Sequence, residues 1–189
     1  MTRDPHPWAA GLASLHAQVW TCLVRGVHDR RAPARHPALA TVTPDGMPRV
    51  RTVTLRRADR LAAQLDIHTD LKSAKVSELR ARPFAALHVW DGPGHLQIRI
   101  EAEAEILSGA DVADIWARVP EASRLTYGIV PPPGEPIVSA LDYASAPGRE
   151  SFALLRLRVR AIDVLHLGPD HRRACFRRAD GWTGQWLAP

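Results

Sequence analysis

The stretch Ile67-His68-Thr69-Asp70-Leu71-Lys72-Ser73-Ala74-Lys75-Val76-Ser77-Glu78-Leu79-Arg80 decides how this chain is read. Its first three residues end a strand. The chain then turns, and Ser73 is placed as the N-cap of a helix with Val76 and Leu79 on one face. The turn region holds both lysines of the protein, Lys72 and Lys75, in a chain with 25 Lys plus Arg. An ammonium is a compact point charge, and a helix start offers free N–H groups and the positive end of a dipole. Thr69, Ser73 and the two lysines therefore suit a phosphate. A solvated helix start with two surface lysines fits the same residues, and both readings stay open at this point.

Upstream, residues 38–43 and 48–57 read as two strands of a hairpin around Asp45-Gly46,. In the second strand Val50, Thr52, Thr54 and Arg56 face one side. Arg49, Arg51, Val53, Leu55 and Arg57 face the other,. A third strand, 61–69, has Leu61, Leu65 and Ile67 as its apolar positions and runs into the lysine turn. Strands that follow one another tend to be neighbours. Arg51 or Arg56 can then converge with Thr69, Lys72, Ser73 and Lys75 on one phosphate.

Downstream, 84–90 is a nearly continuous apolar strand, expected to be buried on both faces,. Residues 95–107 alternate, with Gln97, Arg99 and three glutamates on the polar face. Short helices are expected over 110–119 and 121–127. A Pro-rich loop follows at 130–136, then strands at 152–160, 162–167, 171–178 and 182–187. Near the start, Trp8, Leu12, Leu15, Val19, Leu23 and Val27 recur at helical spacing, giving a packing helix over about 7–27,. Many short antiparallel strands and few helices predict a mainly β (α+β) fold, a β-barrel with peripheral helices.

At 189 residues, 46% hydrophobic and 24% charged, the chain is expected to be one domain spanning 1–189 with its own core,. The formal charge of +5 is dispersed along the sequence; it fits an anionic ligand better than a nucleic acid, which is not an expected partner. Cys22 and Cys175 form no CxxC pair. Residues 1–7 carry no apolar run of signal-peptide length, and no segment reaches the ~18 apolar residues of a membrane span. A soluble, cytoplasmic protein is expected. The nine histidines lack HExxH or paired spacing, so no metal is expected,. Nucleophile elbows, dinucleotide fingerprints and P-loops are also missing. No residue is assigned a catalytic role, and redox chemistry would have to come from a cofactor.

Three motifs together resemble a known family. They are Arg51-Thr52-Val53-Thr54-Leu55-Arg56, then Thr69-Asp70-Leu71-Lys72-Ser73-Ala74-Lys75, then Gln97-Ile98-Arg99-Ile100. In order and spacing they resemble the FMN-binding split-barrel family of pyridoxamine 5′-phosphate oxidases, in the form seen in its cyanobacterial-type, oxidase-related subfamily. The ending Gly181-Trp182-Thr183-Gly184-Gln185-Trp186-Leu187-Ala188-Pro189 is similar to that family's C-terminus. The resemblance covers about 36–108 well and 150–189 more loosely.

The resemblance implies a six-stranded antiparallel split barrel, built from about 38–108 and 150–189, and a homodimer with FMN at its interface. It implies phosphate contacts for Arg51, Ser73 and Lys75, with Thr52, Val53 and Thr54 in the same cofactor-binding stretch. Arg56 matches a basic position at the end of the strand beside the flavin, and His68 with Thr69 matches a pair whose second member, a Thr, approaches the cofactor. Gln97 matches a glutamine on the flavin ring, and Arg173 a C-terminal arginine that meets FMN.

The chain also departs from the oxidase pattern. Ala74 stands where the oxidases carry Arg, and Lys72, where they carry Gly, is expected to supply that charge. Trp116, Pro120 and Arg124 stand where the oxidases place a Tyr, an Arg and a Ser for the substrate phosphate, and a C-terminal Trp is replaced at about Leu165. The implied function is an FMN-dependent oxidoreductase of the pyridoxamine 5′-phosphate oxidase-like type acting on an unknown small molecule, with these departures weighing against pyridoxamine phosphate itself. The alternative is a non-catalytic flavin- or haem-binding module on the same barrel.

Overall fold

A computed structural model describes residues 5–189. Residues 1–4, part of the stretch read for a leader, lie outside the described residues. The expected hairpin forms: β1 (Ala38–Val42) pairs antiparallel with β2 (Pro48–Thr52). Gly46 sits at φ 95°, a conformation a side chain would strain,. Thr43 Oγ1 closes the turn by accepting the Met47 N–H at 2.9 Å.

The single strand expected over 48–57 is two strands. Val53 and Thr54 separate β2 from β3 (Leu55–Asp59), and β3 pairs with β4 (Gln64–Asp70). The other long strands are β5 (Phe84–Asp91), β6 (Leu96–Ser108) and β7 (Phe152–His166). The sheet runs β2-β1-β5-β6-β7-β4-β3. Its two edge strands are successive stretches of chain, two residues apart, so the sheet must close on itself there. With β2 and β3 counted as one stave, the barrel has six. β8 (Arg172–Arg177) and β9 (Gln185–Leu187) extend the sheet beyond the barrel from the second half of β7.

Other boundaries moved for local reasons. The chain turns before β4, which starts at Gln64, and Leu61 is 99% exposed rather than an inward apolar position. The strands expected at 152–160 and 162–167 are one strand of 15 residues, with Arg160 extruded where its register against β6 shifts,. The N-terminal helix is a short 3-10 turn (Pro7–Ala10), an extended Gly11, then α1 (Leu12–His28). Leu15, Val19 and Leu23 of α1 are fully buried in the main core, with Leu12 and Val27 at its margin. α2 (Ala74–Ala81) stops before Pro83 and packs on β1,. α3 (Ala113–Ala117) and α4 (Glu121–Arg124) are shorter than expected.

β5 is not buried on both faces. Ala85, Leu87 and Val89 point into the barrel, whereas Phe84, Ala86, His88 and Trp90 point out. Phe84 is 53% exposed and Trp90 45%. The outer face borders an open groove of about 420 Å³ lined by Ala40, Val42, Pro48, Phe84, Ala86 and Arg160, among others. An apolar run that reads as doubly buried thus has one face that this chain does not cover.

Candidate functional site

β4 brings Thr69 to the barrel rim, and the chain turns at once into α2. Asp70 builds that turn. Its main-chain oxygen accepts the Ser73 N–H at 3.1 Å and the Ser73 hydroxyl at 2.7 Å, and its Oδ1 accepts the Lys72 N–H at 2.7 Å. Ser73 occupies the N-cap position but bonds back into the turn, which leaves α2 without a side-chain cap,.

Lys75 reaches from the first turn of α2 to Thr69 Oγ1 at 3.0 Å, and that hydroxyl lies 3.2 Å from Ser73 Oγ. Arg51 enters from β2. One terminal nitrogen meets the Thr41 hydroxyl and the other lies 2.8 Å from Glu78 Oε2. Glu78 is buried on α2 and also accepts from Thr41. Burial, then the Arg51 charge, holds the Lys75 ammonium below its ordinary pKa, against the opposing pull of Asp70 and Glu78. Two partly dehydrated cations and two hydroxyls on one turn form a set that an oxyanion completes.

Next to this cradle lies a second feature. A β-bulge between Leu55 and Arg57 takes Arg56 out of strand register,. Arg56 and His68 line a pocket of about 230 Å³ with Ile115, Arg118, Val119, Pro120 and Ser123. Arg56 Nε is buried without a hydrogen-bond partner. Burial, reinforced by Arg56, pushes His68 down to about 4, so its imidazole is neutral near pH 7.

Tyr127 is packed away, with its ring edge-on to Phe152 at 5.0 Å. Arg124 is committed as well: it donates to the main-chain oxygens of Val119 at 2.9 Å, Ala117 at 3.0 Å and Trp116 at 3.3 Å.

The remaining expected site residues scatter. Val53 is buried in the core, and Thr52 is exposed. Thr54 Oγ1 sits 3.5 Å from His36 Nδ1. The Lys72 side chain is exposed, and its N–H is the group the turn uses. Gln97 lies on the outer wall of the barrel, paired with Trp90 of β5 and Leu165 of β7. Arg173 pairs with Leu165 from β8 and is bound to Asp163 at 2.9 Å, a carboxylate it shares with Arg99. Thr69 aligns through Ala153 with Ser108, eleven residues along β6 from Gln97. That is roughly 36 Å of strand. One chain therefore brings together Arg51, Thr69, Ser73 and Lys75, with Arg56 and His68 beside them, and leaves Gln97 and Arg173 on another wall.

Sequence reasoning missed Glu78, Asp70, Arg118 and Ser123. Glu78 stands one helical turn after Lys75 and is readable as its neighbour. Its bond to Arg51 requires β2 to cross α2, which no local pattern announces.

Fold and site define a split barrel with a cationic turn at its rim, and comparison with known proteins narrows the class. The pyridoxamine 5′-phosphate oxidase FMN-binding domain matches residues 7–108. A pyridoxine/pyridoxamine 5′-phosphate oxidase of Microcystis aeruginosa is 33% identical, over 88% of this chain and 85% of its own. The Arabidopsis thaliana pyridoxine/pyridoxamine 5′-phosphate oxidase 2 is 29% identical over 92% and 98%. Among solved structures, a pyridoxamine 5′-phosphate oxidase-related FMN-binding protein of Nostoc punctiforme superposes with a TM-score of 0.75. It is 25% identical and covers 100% of this chain and 99% of its own. The chain belongs to the pyridoxamine 5′-phosphate oxidase FMN-binding domain family, and its cofactor is FMN.

The residues present fit that cofactor. The cradle's cations are drawn partly out of water, Lys75 is held below its usual pKa, and the adjoining Arg56 keeps a buried N–H without a partner. An anion supplied to this corner would relieve all three. Among the described residues no cluster of three or more His, Cys, Asp or Glu could hold a metal, and no helix is long and apolar enough to cross a membrane. Both cysteines are free, and burial with the neighbouring Asp91 pushes the Cys22 thiol up to about 12.

Proposed function

We propose that this chain is a cytoplasmic FMN-dependent oxidoreductase acting on a small anionic molecule, and that it works as a homodimer. The observation that carries the reading is the adjacency of two cationic features: the Arg51–Thr69–Ser73–Lys75 cradle and the Arg56–His68 pocket. The cradle suits the FMN phosphate. The pocket suits a substrate, with Arg56 and Arg118 supplying positive charge and Ser123 a hydroxyl. Neutral His68 can accept a proton on an imidazole nitrogen from a substrate N–H or O–H. FMN, when bound, supplies the two-electron chemistry that the side chains lack.

The proposed substrate is not the pyridoxamine 5′-phosphate for which the relatives are named. Arg124 is tied to three carbonyls, and Ile115 and Val119 present apolar surface to the pocket. A pocket built to bind a phosphate discriminates through polar partners, and fewer are offered here.

The homodimer reading rests on the uncovered face of β5 and on the distance of Gln97 and Arg173 from the cradle. A second copy seated on that face could bring its own Gln97 wall to the first copy's cradle.

The test is direct. Purified protein should carry flavin absorption bands, and anaerobic mixing with candidate anionic substrates should bleach them. Protein that is colourless and does not quench added FMN would remove the cofactor assignment. Steady turnover of pyridoxamine 5′-phosphate would overturn the substrate reading. Bound flavin that no reductant or substrate bleaches would favour the non-catalytic binding module.

A further inference from the structure

Between Gly128 and Gly148 the chain leaves the barrel in a long proline-containing excursion. Its tip exposes Val138 and Leu141. Its neck is narrow. The Gly148 N–H donates to Tyr127 O at 2.8 Å, and Val130 and Ala144 exchange hydrogen bonds at 3.0 and 2.8 Å. Gly128 has φ 100°, and a Cβ there would stand 2.8 Å from Ala146 O and 3.0 Å from Gly148 Cα. The two arms touch backbone to backbone, so only glycine fits.

One side chain ties this neck to the cradle. Asp70 is 6% exposed and lies next to Thr69 in sequence. Its two carboxylate oxygens point to different elements. Oδ1 holds the Lys72 N–H of the turn at 2.7 Å, and Oδ2 holds the Gly128 N–H at 3.0 Å, 58 residues away. A second tie runs alongside, from the Leu71 N–H to Ser151 O at 2.7 Å, just beyond the far arm of the excursion. A buried carboxylate that accepts from two main-chain N–H groups cannot shift toward one without weakening the other. The position of the turn and the closure of the neck are therefore one geometric variable.

We propose that Asp70 is a positioning residue through which a phosphate bound at Thr69, Ser73 and Lys75 and a fixed 129–147 excursion stabilise each other. The proposal rests on the reading of that turn as the FMN-phosphate cradle. Linkage of this kind is reciprocal: what FMN does to the excursion, the excursion does to FMN affinity. The excursion, with its exposed apolar tip, is then fixed in place when cofactor is present.

Hydrogen exchange of the 129–147 amides, with and without saturating FMN, tests it. Riboflavin, which lacks the phosphate, is the control ligand. In the wild-type protein FMN should slow exchange in the excursion about tenfold and riboflavin should not. Asp70→Asn offers one oxygen and one NH2, so whichever way it turns one main-chain N–H faces a donor. FMN should bind this variant about tenfold more weakly, and saturating FMN should leave excursion exchange unchanged.

Gly128→Ala opens the neck without touching Thr69, Ser73 or Lys75, and should weaken FMN binding several-fold from that distance. Combined with Asp70→Asn it should cost little more than the worse single change. Should Asp70→Asn fail to fold, Gly128→Ala alone decides: FMN affinity equal to wild type, with the excursion loosened, overturns the coupling. So does FMN-dependent slowing that survives in Asp70→Asn, or wild-type FMN binding with no slowing at all. In those cases the cradle stands. Equal wild-type affinity for FMN and riboflavin removes the cradle itself, and the coupling with it.

Discussion

Lys75 Nζ donates to Thr69 Oγ1 across 3.0 Å, joining the first turn of α2 to the last residues of β4. The bond holds the ammonium over the turn, where burial and Arg51 already weaken its hold on its proton. Lys75→Ala should therefore raise the Kd for FMN by about 10- to 100-fold, the loss expected for one charge-assisted phosphate contact. Flavin fluorescence quenching measures it. Lys72, whose side chain is exposed, should give less than about a threefold change when replaced by Ala. Equal losses in the two variants would show that the cradle opens toward Lys72 instead.

Arg51 has a second duty that Lys75 lacks. It neutralises Glu78, which is 5% exposed and 2.8 Å away. Arg51→Ala should weaken FMN binding and also destabilise the fold, by about 3 kcal/mol, because a buried carboxylate loses its charge partner. Arg51→Ala/Glu78→Gln should recover part of the stability and none of the FMN affinity. Denaturant melts and quenching titrations on the wild type and these two variants separate the two effects.

His68 makes stability depend on pH in the acid range. Its folded-state pKa is about 4, against 6.5 when unperturbed. Above pH 6.5 both states hold it neutral and it adds no slope. Between 6.5 and about 4 the unfolded chain binds the proton that the folded chain refuses, so stability falls as pH drops. The full shift would correspond to about 3 kcal/mol, and partial exposure reduces this to roughly 1–2 kcal/mol. His68→Gln should remove that part of the slope. Parallel wild-type and variant curves between pH 4 and 6.5 would show that His68 is not the group responsible.

The outer face of β5 should be where two copies meet. Ala86→Arg places a charge at its centre, and Trp90→Glu does so at its end, beside Gln97. Each should shift the protein from dimer to monomer in light scattering. Each should also lower FMN affinity, if the Gln97 and Arg173 wall completes the partner's cradle. A monomeric wild type, or variants that remain dimeric, would place the interface elsewhere.

Phe152 packs between His68 and Tyr127. It is fully buried, and its ring meets His68 and Tyr127 edge-on at 5.0 Å each. Phe152→Ala should cost about 3–5 kcal/mol, read as a lower denaturation midpoint. It should also raise the His68 pKa toward 6.5 in an NMR titration, since the cavity admits water.

Several features were legible in the sequence because they are local. The Asp45-Gly46 turn, the strand-to-helix switch at Thr69 to Ser73 and the apolar stripe of α1 each follow from residue chemistry over a few positions. The break at Val53-Thr54 was not legible. Residues 48–57 alternate without interruption, and alternation records which face a residue takes, not which strand it pairs with. The outward face of β5 was hidden for a related reason. Phe84, Ala86 and Trp90 are apolar although this chain leaves them uncovered, so hydropathy reported burial that the single chain does not provide.

The sequence by itself determined the family, the barrel's chemical alternation and the pairing of a basic strand with a lysine turn, because those are written in residue types at short spacing. Only the tertiary structure decided which residues meet. It closed the barrel by dividing one strand between two edges. It set Arg51 against Glu78, turned Arg56 toward His68 through a bulge, and tied Asp70 to Gly128. It also removed Arg124 to a backbone role and left Gln97 far from Lys75. The physical reason is that hydrogen bonds and ion pairs depend on separations in space, and closing the barrel brings together residues that lie tens of positions apart in sequence.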